Sequence, residues 1–216
     1  MAIFSSIETL QVLKEKPLVP LFYNEDLDVC KSLITACYKG GVRVIEFTNR
    51  GEKAIDVFRE LLEWSQTHFP KLILGIGTIK SVEMAEKFIA IGANFIVTPV
   101  LDIEVGDSCK KNNVPWIPGC GTLTEMFTAH KNGAALVKAF PINALGGATY
   151  IKSVLAPCPE LKIMPSGGIK ATQQDVKQYL DAGVYCVGVG SSLFVKEGNE
   201  YDYNKISENC RNLLNI

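Results

Sequence analysis

The 216-residue sequence predicts an α/β fold, a (β/α)8 TIM barrel with an N-terminal amphipathic helix, formed as one domain over residues 1–216. Three observations predict it. Eight apolar, β-rich runs begin 20 to 30 residues apart, the length of one strand–helix unit. The runs are continuously apolar rather than alternating, as strands of a parallel sheet covered by helices are. The segments between them carry helix start and stop signals. A doubly wound open sheet is the second choice, since a strand count alone does not establish closure.

In order along the chain, Ile3, Ile7, Leu10 and Leu13 recur at helical spacing and predict an amphipathic helix packed on the domain. Strands are expected at 18–23, 42–48, 72–78, 95–100, 116–120, 136–140, 162–165 and 186–189. Glu25-Asp26 opens a helix that Gly40-Gly41 closes, and Ser81, Met84, Phe88 and Ile91 mark another ending at Gly92. Thr122 caps a helix running to Lys131, and Thr172 caps one ending at Asp181-Ala182-Gly183. Pro115 precedes its strand and Pro118 sits near its end, so neither must donate in mid-ladder. The barrel is shorter than the ~250 residues typical of the architecture. Little chain is left for a lid, so the chemistry is expected on strand ends and short loops.

Composition narrows the function. The formal net charge is −1 with no basic cluster, which argues against a nucleic-acid partner. No apolar run approaches the ~20 residues that cross a bilayer, so no membrane partner is expected. The N-terminal MAIFSSIETLQVLKEK lacks the pattern of a signal peptide. Seven cysteines without a CxxC pair read as reduced thiols of a cytoplasmic protein, with Cys120 and Cys186 as core residues. His68 and His130 are the two histidines, and no clustered ligand set is readable, so no metal is expected.

The unusual residues stand in the strands. Lys138 lies inside the apolar run Leu136-Val137-Lys138-Ala139-Phe140-Pro141. Burial disfavours an ammonium, and a neutral amine attacks carbonyls to form Schiff bases. The other reading is a lysine snorkelling its head into solvent. Glu46 lies within another apolar strand, with Thr48 and Arg50 at positions of the same parity. A buried carboxylate is either half of a salt bridge to Lys138 or Arg50, or a general acid/base, or both. Arg50 presents a fork suited to a carboxylate or phosphate, and Thr78 offers a hydroxyl after Gly75-Ile76-Gly77. Pro165-Ser166-Gly167-Gly168-Ile169 and Gly188-Val189-Gly190-Ser191-Ser192 end the last two strands. Barrels bind phosphate there with loop amides, which points to a phosphorylated small-molecule substrate.

These motifs resemble the 2-keto-3-deoxy-6-phosphogluconate (KDPG) aldolase / 4-hydroxy-2-oxoglutarate (KHG) aldolase family. The resemblance runs over nearly the whole chain, through Gly40 to Arg50, Gly75 to Thr78, Thr98-Pro99, Ile117 to Gly119, Lys138 to Pro141, Pro165 to Ile169 and Gly190-Ser191. It implies a class I aldolase acting without metal or other cofactor on a phosphorylated keto acid, as a homotrimer. By the same resemblance Lys138 is the Schiff-base lysine and Glu46 the acid/base. Arg50 and Thr78 hold the pyruvyl carboxylate, Phe140 and Pro99 wall the site, and Ser166, Gly167, Gly168, Gly190 and Ser191 bind the hydroxyl and phosphate end. Asn49, Ala139, Ile142 and Ser166 depart from the family pattern, and loss of an aromatic at Ala139 is expected to reshape the pocket. Two further readings remain. One is another phosphate-binding barrel, an isomerase or synthase; the other is a non-catalytic barrel that binds a phosphorylated ligand.

Overall fold

A computed structural model describes residues 2–216. Ser5 and Glu8 form a capping box that starts α1 (Ser6–Glu15), which leads into β1 (Leu18–Phe22). Asp26 caps α2 (Leu27–Lys39), then come β2 (Val44–Thr48), α3 (Ala54–His68) and β3 (Ile73–Gly77). Ser81 caps α4 (Val82–Ile91), and Gly92 ends it in the left-handed region at φ 113°. There follow β4 (Ile96–Val97), α5 (Ile103–Lys111), β5 (Trp116–Ile117) and β6 (Gly119–Cys120). Thr122 and Glu125 box the start of α6 (Leu123–Lys131), ahead of β7 (Val137–Ala139), α7 (Ile142–Leu145), α8 (Gly147–Leu155) and β8 (Ile163–Pro165). Thr172 caps α9 (Gln173–Leu180), and β9 (Val187–Val189) follows. A 3-10 turn (Ser191–Leu193), the antiparallel pair β10 (Lys196–Glu197) and β11 (Glu200–Tyr201), and α10 (Tyr203–Leu214) complete the order.

The helix signals thus fall where the sequence predicts them, and each expected strand is present but shorter. The run 116–120 is divided at Pro118, whose nitrogen carries no proton for the ladder. Apart from the antiparallel pair, all strand pairings are parallel, in the orders β5-β4-β3-β2-β1-β9 and β6-β7-β8. Ser166 bridges to Gly188 and joins β8 to β9, while β5 runs into β6 across Pro118. The sheet therefore curls until its first strand meets its last, a TIM-barrel-like architecture; an open doubly wound sheet does not pair β1 with β9.

Alternation within the strands separates two cores. Val19, Val44, Ile73, Phe95, Val97, Ile117, Leu136, Met164 and Cys186 face inward and pack with Leu13 of α1. Residues of opposite parity, such as Ile45, Phe47, Leu74, Val137 and Ala139, pack outward under the helices. The N-terminal helix is present, but only the second half of its expected apolar stripe, Leu10 and Leu13, packs on the domain. Ile3 precedes the cap and is 55% exposed, and Ile7 is 79% exposed. The helix buries Leu13 together with Thr9, because it meets the sheet at the floor of the curl rather than along its flank. Asn94 fixes its approach, its Oδ1 accepting from the backbone N–H groups of Ile3 and Phe4 at 3.1 and 3.2 Å.

Candidate active site at the carboxyl ends of the strands

The inward positions change character toward the carboxyl ends of the strands. Leu21 and Gly75 flank Glu46 in register, and Gly119 and Met164 flank Lys138. Glycine is needed beside the carboxylate: a Cβ on Gly77 would collide with Glu46 Oε1, and one on Gly75 with the ring of Phe95. The space left open is filled by two charges. Glu46 is 1% exposed and Lys138 6%. Lys138 Nζ lies 3.6 Å from Glu46 Oε1, and neither carboxylate oxygen accepts a hydrogen bond. An ion pair held this loosely in an apolar setting costs stability relative to a packed apolar pair. The amine also lies 5.1 Å from the centroid of the Phe140 ring.

Lys138 opens onto a cavity of about 850 Å³. Arg50, Thr78, Pro99, Phe140, Ser166, Gly167, Gly168, Gly190 and Ser191 all line it, so every site residue expected from sequence is brought together, with Glu46 just beneath the wall. Thr78 has φ 63°, a conformation that costs a β-branched residue energy and that clusters at functional sites. The Ser166 loop follows its own constraints. Gly167 and Gly168 take φ 92° and 83°, and a side chain at Gly168 would meet Asn143. Ser192 Oγ donates to the Ile169 carbonyl at 2.8 Å, tying the two glycine loops together. Thr48 does not reach the cavity; its hydroxyl donates to the Phe22 carbonyl at 3.2 Å and braces β2 against β1.

The sequence reading missed several lining residues. Tyr23, Lys80 and Lys170 carried a signal, each lying two positions from another inward or loop residue, Leu21, Thr78 and Gly168. Burial, then Glu25, holds the Tyr23 phenol above its ordinary range. Lys196 and Tyr201 carried none, because they reach the cavity only through the β10–β11 hairpin. The departures Ala139 and Ile142 are not pocket residues. Both are buried in the outer core between strands and helices, so the expected reshaping of the pocket at Ala139 does not occur. Asn49 turns away as well, its Nδ2 lying 2.8 Å from Met84 Sδ on α4.

A groove of similar volume, about 830 Å³, runs between the N-terminal segment, α4 and the end of α5, and holds none of these strand-end residues. Among the described residues no group of three His, Cys, Asp or Glu side chains is placed to hold a metal ion. Burial pushes the Cys120 thiol up to about 12, so it is protonated and unreactive at neutral pH.

A primary amine and a carboxylate set side by side in an apolar wall, with a cationic cavity above them, belong to lysine-dependent barrel enzymes that act on carbonyl compounds. The comparisons make this specific. The pattern of the KDPG and KHG aldolase family matches residues 9–209, and the chain belongs to that family, whose members are lyases. It is 31% identical over 204 residues to the 2-dehydro-3-deoxy-phosphogluconate aldolase of Pseudoalteromonas atlantica, covering 94% of this chain and 92% of that one. It is 29% identical to the KHG/KDPG aldolase of Escherichia coli K12, over 93% and 92% of the two chains. The crystal structure of KDPG aldolase from Legionella pneumophila superposes with a TM-score of 0.81 at 28% identity, over 95% and 97% of the chains. In that structure pyruvate was captured at low pH as a covalent carbinolamine intermediate.

Proposed function

We propose that this protein is a class I aldolase of the phosphogluconate type. It reversibly cleaves a 2-keto-3-deoxy-6-phospho sugar acid to pyruvate and glyceraldehyde 3-phosphate. 4-Hydroxy-2-oxoglutarate, which yields pyruvate and glyoxylate, is a further substrate. The observation that carries the reading is the buried Lys138–Glu46 pair opening on a cavity whose charged lining is all cationic. No metal or other cofactor takes part in the scheme.

The Lys138 amine, having given up its proton, attacks the C2 ketone. Glu46, through a water, moves the protons that convert the carbinolamine into an iminium and release water. Arg50 neutralises the substrate carboxylate and, with Thr78, fixes the ketone against the amine. Glu46 then takes the C4 hydroxyl proton. The C3–C4 electron pair flows into the iminium to give an enamine, and the aldehyde leaves. Protonation at C3 and hydrolysis of the iminium release pyruvate and restore the amine. Pro99 and Phe140 wall the pyruvyl part, while Ser166, Gly167, Gly168, Gly190 and Ser191 hold the hydroxyl and phosphate end.

The chain works in this proposal as one (β/α)8 domain over residues 1–216, with its N-terminal helix as a floor, assembled as a homotrimer in the cytoplasm. Seven free cysteines suit a reducing compartment. Light scattering at three times the chain mass checks the assembly. Borohydride reduction in the presence of pyruvate tests the chemistry. The intact mass should rise by one reduced pyruvyl group, and Lys138→Ala should abolish the gain. Glu46→Gln should slow turnover by about 10²–10⁴-fold without loss of the fold. No adduct on the unaltered protein would sink the aldolase reading.

A further inference from the structure

The cavity is more cationic than the scheme above requires. Arg50, Lys80, Lys138, Lys170 and Lys196 line it, and no Asp or Glu does, in a chain with 22 basic and 23 acidic residues. Arg50 and Lys138 serve the pyruvyl end. Lys170 and Lys196 enter from the other side, beyond β8 and β9, the neighbouring strands that also carry the two glycine loops.

Lys196 is there because of how the chain folds after β9. The segment Lys196–Tyr201 turns back on itself as a hairpin, with Lys196 opposite Tyr201 and Glu197 opposite Glu200. Cross-strand partners share a face, so the pleat sorts the charges. The lysine and tyrosine face the cavity, and the two glutamates stand on the opposite, solvent side. Gly198 makes the turn at φ 63°, with its tip in open space. Lys196 Nζ lies 4.5 Å from the centroid of the Tyr201 ring, which steadies the amine over the cavity. Asp202 N donates to the Val195 carbonyl at 3.1 Å and closes the base of the hairpin.

We propose that the β10–β11 hairpin is a specificity element, and that Lys196, held against Tyr201 and seconded by Lys170, binds the distal anion of the keto acid. This rests on the aldolase reading and adds to it the choice among its substrates. Two ammonium groups beside the glycine-loop amides favour a phosphate dianion over a lone carboxylate. The site should therefore select the 6-phosphorylated acid over 4-hydroxy-2-oxoglutarate.

Steady-state cleavage of both acids by the unaltered protein, Lys196→Ala, Lys196→Arg and Tyr201→Phe tests this, with Lys152→Ala, at an exposed position of α8, as a control for net charge. Lys196→Ala should raise KM for the phosphorylated acid about tenfold or more with kcat nearly unchanged, the signature of lost ground-state binding. The KM for 4-hydroxy-2-oxoglutarate, whose distal anion is a single carboxylate, should rise far less, and the borohydride-trapped pyruvate adduct should stay as it was. Lys196→Arg should recover most of the loss, and Tyr201→Phe, which keeps the ring, should lose little. An unchanged KM overturns the proposal, as does an equal loss on both acids or the same shift from Lys152→Ala. A protein that traps pyruvate yet shows no preference for the phosphorylated acid overturns it while leaving the aldolase reading standing. Failure to trap pyruvate at all removes both.

Discussion

The two ends of the sheet's interior are built from the same strands and obey opposite rules. At the amino end, Val19, Val44, Ile73, Phe95, Ile117, Leu136, Met164 and Cys186 close around Leu13 as a packed apolar floor. One or two inward positions further along, the same strands present Glu46, Gly75, Gly77, Gly119, Lys138, Ser166 and Gly188. The floor is filled with hydrocarbon. The mouth is emptied by glycines and occupied by charges that would be costly elsewhere. Stability is concentrated at one end so that the other can hold a lysine and a carboxylate without hydrogen-bond partners for the carboxylate. Substitutions at the two ends should therefore separate folding from chemistry.

The largest effect is expected on the floor. Phe95→Ala removes a fully buried ring and should cost about 3–5 kcal/mol in denaturant unfolding. Pyruvate trapping, measured where the variant is still folded, should persist; its loss would mean the ends are not separable. Next comes Gly77→Ala at the mouth, whose methyl must displace the Glu46 carboxylate. Turnover should fall about 100-fold, the scale of an ångström misplacement, with a smaller change in melting temperature than for Phe95→Ala. Ala139→Phe tests the outer face of β7. It should cost about 1–3 kcal/mol by overpacking the layer under the helices, and leave the ratio of rates on the two keto acids unchanged. A shifted ratio would return Ala139 to the pocket. The smallest effect is chemical. Cys30, Cys109 and Cys120 are each pushed up to about 12 by burial, so iodoacetamide at neutral pH should leave turnover unaltered over hours.

What was legible in the sequence was whatever contradicts its surroundings. A lysine in Leu136–Phe140 and a glutamate in Val42–Thr48 are anomalies in strands that must be apolar, and both fall at the site. The glycine pairs were legible because tight loops demand them. Ala139 was misread although the information was present: once Lys138 faces inward, its neighbour faces out. The first half of the N-terminal stripe failed for a different reason. Ile3 and Ile7 have helical spacing with Leu10 and Leu13, but the cap at Ser5 places Ile3 outside the helix, and Ile7 faces solvent while Leu10 and Leu13 meet the floor. Lys196 and Tyr201 were not legible at all. A hairpin of two-residue strands has no hydrophobic period, and its place over the cavity comes from tertiary packing.

Leu13 has a consequence for the order of events. With the inward side chains of the strands it completes a packed floor, so the interior is a cup with a single rim and molecules enter and leave by one route. In the proposed scheme the fragment tethered at Lys138 sits at the bottom of that cup, with the aldehyde fragment above it. Departure must then follow depth, aldehyde first and pyruvate last. In the reverse direction of the proposed reaction pyruvate loads before the aldehyde, so the covalent tether and the single rim impose the same order on condensation.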